Sequence, residues 1–210
     1  DHRDLHSFPT RRSSDLGGSI LGTSRENPTE NPAKMENVVK QLQSLGVTHL
    51  ATIGGDDTAY TSSQIEEKAN QTIHVVHVPK TIDNDLPLPG GVPTFGFETA
   101  RHYGVQIIQN IMEDALTTKR WYLCVTMGRK AGFLALGIGK AAGTHLILIP
   151  EEFSENTPLE TLCDVIEGTL LKRQVEEKPY GVIVMGEGII EKIDKNDLKD
   201  IKDAPRDPHG

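Results

Sequence analysis

Two cysteines in 210 residues, Cys124 and Cys163, are too few and too far apart for a disulfide framework. Each sits in an apolar pattern, so both read as core thiols of a reducing compartment. No run of 18 apolar residues occurs, which leaves no membrane-spanning helix. Positive charge is also in deficit. Lys and Arg number 22 against 30 Asp and Glu, a net −8, and no basic stripe offers a nucleic-acid footprint. No Cys/His group has zinc-ligand spacing, and no Ser-His-Asp set is suggested. Repeats and low-complexity tracts are lacking as well. Aromatics are scarce at 5%, whereas the 20 glycines suit an α/β enzyme with many tight strand-to-helix turns. The expectation is a soluble, acidic, cytoplasmic protein, large enough for one large or two small domains.

Residues 1–16, DHRDLHSFPTRRSSDL, stand apart. They have almost no apolar periodicity, and no h-region follows the charges as it would in a signal peptide. The string resembles the conceptual translation of a common short-read sequencing adapter. It is therefore expected to be a non-native tail, with the protein proper starting at Gly17. Its three Arg and three Asp cancel, so the charge is unaffected. Adapter read-through also implies an incomplete gene fragment.

From there on, strands and helices alternate. Asn31-Pro32 is an N-cap and first-turn pair for a helix with Met35, Val38, Val39, Leu42 and Leu45 on one face, ended by Gly46. A strand is expected at 48–53, a weaker helix at 58–69 and a second strand at 73–78. After a Pro/Gly-rich loop, Val105, Ile108, Met112 and Leu116 mark a long helix over 97–116. A third strand at 121–126, a small-residue helix at 131–142 and a fourth strand at 145–149 follow. Thr157-Pro158 with Glu160 reads as a capping box opening a helix to about residue 173. A fifth strand is expected at 180–185. The stretch 192–210 is polar, with no clear element.

Strands joined by single helices run parallel. The loops GGDDT, PKTIDND, MGRKAG, PEE and GEG all follow strands, at the sheet edge where α/β proteins bind ligands. Gly54 and Gly55 allow backbone N–H groups close to a phosphate, and the next helix N-terminus favours an anion. A tight turn with Asp as helix cap explains that loop equally simply. If PKTIDND is extended, Thr81, Asp83 and Asp85 share one side, with Lys80 and Asn84 on the other. Gly128 exposes backbone, and Arg129 can fork onto a phosphate or carboxylate, although alone it reads as a surface residue. Glu187, between Gly186 and Gly188, has a similar setting, and Arg120 reads equally as a sheet-edge cation.

These are the parts of a phosphoryl-transfer site: an anion cradle, carboxylates for Mg²⁺, a base for a hydroxyl and cations for equatorial oxygens. The four acids Asp56, Asp57, Asp83 and Asp85 would repel one another without a divalent cation. Oxygen-only ligation suits Mg²⁺.

GGDDT, PKTIDND, MGR and GEG, in this order and spacing, resemble the phosphofructokinase family, as does GGSILGTSR at Gly17 to Arg25. The similarity covers essentially residues 17–190. It implies a doubly wound parallel α/β fold of two Rossmann-like domains, here incomplete at both ends. A partial phosphoryl-donor domain would occupy 17–94 and a truncated sugar-phosphate domain 95–210. By motif, Asp83 resembles the base that takes the proton of the sugar 1-hydroxyl, and Thr81 a contact to the transferring phosphoryl group. Asp56 and Asp85 resemble metal-side acids for Mg²⁺. Met127, Gly128, Arg129 and Glu187 match the fructose 6-phosphate loop, with Arg129 also counted as catalytic. Arg120 matches an arginine that reaches a neighbouring subunit's sugar phosphate, and Arg25 a donor-side arginine. Gly54, Gly55, Asp57 and Lys80 complete the donor side. The resemblance also implies a homo-oligomer, dimer or tetramer, and a reversible glycolytic reaction, without nucleic-acid or membrane partners.

The donor follows from charge. ATP-using relatives carry glycine where this chain has Asp57 and Lys80. A carboxylate there fills the space of an α-phosphate and repels it by roughly 4 kcal/mol at about 4 Å and an effective dielectric of about 20. Lys80 offers its ammonium to a shorter anion. Both substitutions resemble the diphosphate-dependent branch, so Mg-diphosphate is the expected donor. An ATP-dependent 6-phosphofructokinase tolerating Asp57 and a non-catalytic regulatory subunit binding sugar phosphate stay open. The family's first strand and glycine-rich loop, and its later half, are absent from these residues. The fragment alone is expected to be inactive and marginally stable, with apolar sheet edges left uncovered.

Overall fold

The computed structural model describes residues 26–199. The adapter-like stretch and Arg25 lie outside the described residues, as does 200–210. The element order is α1 (Pro32–Ser44), β1 (His49–Gly54), α2 (Asp56–Lys68), β2 (His74–Thr81), β3 (Phe95–Gly96), α3 (Phe97–Thr118), β4 (Trp121–Thr126), α4 (Phe133–Ala142), β5 (Leu146–Leu148), α5 (Leu159–Val175), β6 (Gly181–Gly186), α6 (Ile189–Lys192) and α7 (Lys195–Lys199). Two three-stranded sheets form, ordered β1-β2-β3 and β4-β6-β5. Pairing is parallel between β2 and β3, and between β6 and both of its neighbours. This is the expected α/β architecture with parallel sheets.

The chain divides into two compact units. One takes in the described residues up to Leu50 together with Thr61–Val75. Its core is Met35, Val39, Ile65, Ala69 and Ile73. Asn31 caps α1 by accepting the Ala33 N–H on its side chain, and Pro32 pre-sets the first turn. Gly46, at φ +69°, takes the left-handed conformation that ends the segment.

The other unit comprises Ala51–Tyr60 and the described residues from Val76 onward. Strand β6 is its spine. Val182 and Val184 face a cluster with Phe97, Ile108, Leu134 and Ile138, whereas Ile183 faces Leu148, Leu162, Ile189 and Ile193. A strand covered on both faces has no polar side to alternate with, which is why GVIVM reads as a continuous apolar run. By contrast Ile53, Val76, Val78 and Phe95 are exposed.

Several local expectations are corrected. Helix α2 begins at Asp56, two residues early, because both first-turn carboxylates meet the positive end of the helix. Strand β2 continues to Thr81, held by a two-residue partner that no pattern announces: Lys80 pairs with Phe95 and Thr81 with Gly96. Beyond Thr81 the chain bends, and Asn84 is left-handed at φ +58°, so TIDND does not alternate as an extended segment. The capping box does not form. The Thr157 hydroxyl donates to the Ser154 carbonyl, and the Leu159 N–H donates instead to Asp197 Oδ2, 38 residues on. Cys163 is exposed and so is not a core thiol, whereas half-buried Cys124 packs against the cluster around Val182 and Val184. On α5 the apolar residues surround the helix, and Val165 and Leu171 are exposed with Cys163. The polar stretch after residue 192 contains α7.

Candidate active site

The loops after β1, β2, β4, β5 and β6 lie at the carboxyl ends of their strands, and all five belong to the second unit. The 127–132 loop is the most constrained. Gly128 has φ +151° and Arg129 φ +50°. A Cβ on Gly128 would stand 2.4 Å from the Ala131 carbonyl oxygen, so only glycine fits. Glu187 leaves the end of β6, its N–H donating to the Thr126 carbonyl. Its Oε1 accepts the N–H groups of Gly128 at 2.9 Å and of Arg129 at 2.8 Å. Gly188 lets the two loops touch: a Cβ there would lie 2.2 Å from the Arg129 carbonyl oxygen. Glu187 therefore holds main chain as well as lining the rim.

Arg129 reaches from this loop to the first turn of α2. Its Nη1 lies 2.9 Å from Asp56 Oδ1 and 3.0 Å from Oδ2. Asp56 above all, then Asp57, Asp83 and Asp85, raise the pKa of the guanidinium against the effect of burial. Arg129 thus pairs with Asp56 and lies within the field of the other three acids. Its single positive charge offsets only part of theirs.

Asp83 is the half-buried member. Burial, before anything else, pushes its carboxyl above the ordinary carboxylate range. The Thr81 hydroxyl and Arg129 pull it down, while Asp85 and Glu187 push it further up. Its N–H also donates to Thr81 Oγ1 at 3.1 Å. Buried Thr94, which was not singled out in the sequence, pins the bend: Asn84 Oδ1 accepts its N–H at 2.9 Å, and its hydroxyl donates to the Thr81 carbonyl at 2.8 Å. Such a Thr ten residues downstream carries no motif of its own.

Hydrogen bonds join Asp56, Gly128, Arg129 and Glu187, and separately Thr81 and Asp83, while the charges of Asp57, Asp83 and Asp85 act on Arg129. Gly54 is buried beneath Thr58, since a Cβ would meet Thr58 Oγ1 at 2.2 Å, whereas Gly55 opens onto free space. Met127 is exposed at the rim. Lys80 is exposed on the strand face opposite Thr81. Arg120 is not part of the group. It sits at the start of β4, about 20 Å from the loop after that strand.

Among the described residues, no three His, Cys, Asp or Glu converge to hold a metal. Asp56, whose two oxygens face Arg129, and Asp85 are carboxylates, a chemistry that would suit a hard, hydrated cation sharing phosphate oxygens rather than an all-protein cage.

A parallel α/β scaffold thus carries an acid-and-arginine rim at its strand ends. Comparison with known proteins is specific. The Phosphofructokinase family profile matches residues 2–206, and the chain belongs to that family. The chain is 53% identical over 196 residues to the pyrophosphate--fructose 6-phosphate 1-phosphotransferase of Thermotoga maritima, covering 92% of this chain and 47% of that one. It is 53% identical over 191 residues to the enzyme of the same name from Naegleria fowleri, covering 87% and 44%. An ATP-dependent 6-phosphofructokinase 3 of Bacteroides thetaiotaomicron is 34% identical over 197 residues, covering 90% and 55%. The chain thus spans about half the length of these curated relatives. Among solved structures, the phosphofructokinase of Saccharomyces cerevisiae superposes with a TM-score of 0.70 at 21% identity, covering 87% of this chain and 27% of that one. The pyrophosphate-dependent phosphofructokinase of Marinobacter aquaeolei gives 0.65 at 23%, covering 81% and 43%. These two establish the fold. None of the described helices is long and apolar enough to cross a membrane.

Proposed function

We propose that the intact protein transfers a phosphoryl group from inorganic diphosphate to the 1-hydroxyl of fructose 6-phosphate, giving fructose 1,6-bisphosphate and phosphate. The bridging P–O bond of diphosphate breaks, the C1 oxygen–phosphorus bond forms, and the hydroxyl proton passes to Asp83. The observation that carries this reading is the 53% identity to two enzymes of that name, against 34% to an ATP-dependent one. The charges agree with it. A carboxylate such as Asp57, in the first turn of α2, would repel a nucleotide's α-phosphate, and Lys80 would offer charge to a short donor.

Each side chain then has a task. Asp83, with its carboxyl held above the usual range by burial, is a better proton acceptor than an exposed aspartate. Thr81 steadies the transferring phosphoryl group. Arg129 neutralises charge that spreads over the equatorial oxygens. Met127, Gly128 and Glu187 line the sugar side, and Arg120, at the far edge of the sheet, serves a neighbouring subunit's sugar phosphate in a homo-oligomer. Arg25 contributes on the donor side. Asp56 and Asp85 would hold Mg²⁺ together with the diphosphate, and the ion supplies charge neutralisation of the donor when bound. In domain terms, 17–94 serves the donor and 95–210 the sugar phosphate, in a cytoplasmic, glycolytic enzyme.

The test is a donor panel on the full-length protein, measuring fructose 1,6-bisphosphate formation with diphosphate, ATP and other nucleoside triphosphates. Turnover with diphosphate and Mg²⁺ is expected. Turnover with ATP and none with diphosphate would refute the reading.

A further inference from the structure

We propose that Glu151 is a positioning residue for this transfer: from the turn after β5 its carboxylate reaches the Gly132 N–H and holds the far end of the Arg129 loop. The proposal rests on the transferase reading above. The loop between β4 and α4 leaves the sheet ladder with backbone donors that must find acceptors elsewhere. At its near end, Glu187 takes the N–H groups of Gly128 and Arg129. At its far end, Glu151 takes the Gly132 N–H on both oxygens, at 2.8 Å and 3.1 Å. Gly128 and Gly132 are both buried, so water does not substitute freely at either.

Glycine at 132 is what admits the carboxylate. A Cβ there would stand 2.6 Å from Glu151 Oε2 and 2.4 Å from Ile149 Cβ. Gly132 is also the N-cap of α4 and has no side chain with which to cap the helix itself. The negative Glu151 therefore sits at the positive end of that helix, which strengthens the contact. Between the two anchored ends lie the left-handed Arg129 and a Gly128-to-Ala131 turn bond of 2.9 Å. With both ends held, the guanidinium is delivered to Asp56. With one end loose, Arg129 loses its register although every residue touching substrate is intact.

The experiment uses the full-length protein with Glu151→Gln, which keeps an acceptor oxygen for the Gly132 N–H, and Glu151→Ala, which does not. Alanine should lower kcat about tenfold or more, the scale of a small misplacement of a catalytic group. KM for diphosphate should stay within about twofold, and glutamine should recover most of the lost kcat. Amide exchange followed by mass spectrometry should quicken in peptides covering 126–133 and not in those covering 81–85. The proposal is overturned if alanine leaves kcat at the parental value, whether or not exchange changes, or if glutamine is as impaired as alanine. If the alanine protein does not fold, Glu151→Asp, with its shorter reach, replaces it under the same criteria. A parent without diphosphate turnover would instead sink the transferase reading, a separate and recognisable failure.

Discussion

One nitrogen of Arg129, Nη1, serves both carboxylate oxygens of Asp56, at 2.9 Å and 3.0 Å, across 73 residues of sequence. It is the one guanidinium nitrogen committed among the described hydrogen bonds, so the rest of the fork is open to the phosphoryl oxygens of the proposed reaction. Lysine could keep a point contact to Asp56 but has no second planar edge. Arg129→Lys in the full-length enzyme is therefore expected to lower kcat about a hundredfold. The melting temperature should barely change, because a pair this exposed contributes little to stability. Steady-state kinetics beside thermal melting checks both halves.

Asp83 carries a stability cost at neutral pH. Its carboxyl is raised in the folded state, chiefly by burial, so the native form binds that proton more tightly than the unfolded chain. The stability this group lends is present below the ordinary carboxylate pKa and is lost as pH rises through the folded value. At neutral pH the ionised side chain is a burden. Asp83→Asn should abolish measurable turnover, by 10²-fold or more as an order of magnitude for a lost base. It should also raise the melting temperature at pH 7, with the gain shrinking toward pH 4. A lower melting temperature than the parent at pH 7 would contradict the assignment of burial as the dominant cause.

Much of this was visible in the chain itself. Strand β4 falls on the residues that periodicity indicates, and the acids, glycines and arginine stand at strand ends because parallel connectivity leaves them nowhere else. What escaped notice depends on contacts distant in sequence. Glu151 reaches Gly132 across 19 residues, and Asp197 takes the helix end that Thr157 was expected to cap. The bend at Asn84 was hidden for the same reason, since buried Thr94 holds it. Local propensity records neighbours along the chain, whereas these three features are set by neighbours in space.

Donor choice should move with two side chains. Asp57→Gly with Lys80→Gly removes a carboxylate from the first turn of α2 and an ammonium from the end of β2. The ratio of kcat/KM for ATP over diphosphate is expected to rise about tenfold or more, less than the unscreened repulsion allows because both groups are exposed. An unchanged ratio in a folded double variant would place donor selection elsewhere.

Gly188 offers a steric test of the Arg129 loop. An added Cβ would lie 2.2 Å from the Arg129 carbonyl oxygen and 3.0 Å from Lys130 Cα, both on backbone that cannot rotate away. Gly188→Ala should therefore push the loop from Glu187, destabilise by about 1–3 kcal/mol and lower kcat more than it raises KM for the donor. Gly168→Ala, on α5 and outside the site, is the control, since a Cβ there meets nothing within 4 Å. Denaturant titration and kinetics on the two variants separate crowding from a general intolerance of alanine.

A second titration lies far from the catalytic edge. His145 accepts the Val182 N–H on Nδ1 at 3.1 Å, which requires a neutral ring, and it stacks edge-on against Trp121. Burial first, then the positive charge of Arg173, holds its pKa below the ordinary histidine value of 6.5. The unfolded chain takes up this proton more readily than the native one, so stability rises with pH across the interval between the two values. The contribution is complete above 6.5 and is lost as pH falls toward the lowered folded value. The melting temperature of the parent should therefore decline from pH 7 to pH 5 more steeply than that of His145→Asn, whose amide can accept the same N–H without titrating. Parallel melting curves for the two proteins across that range would show that His145 titrates alike in the folded and unfolded states, and the contact with Val182 would then play no part in acid sensitivity.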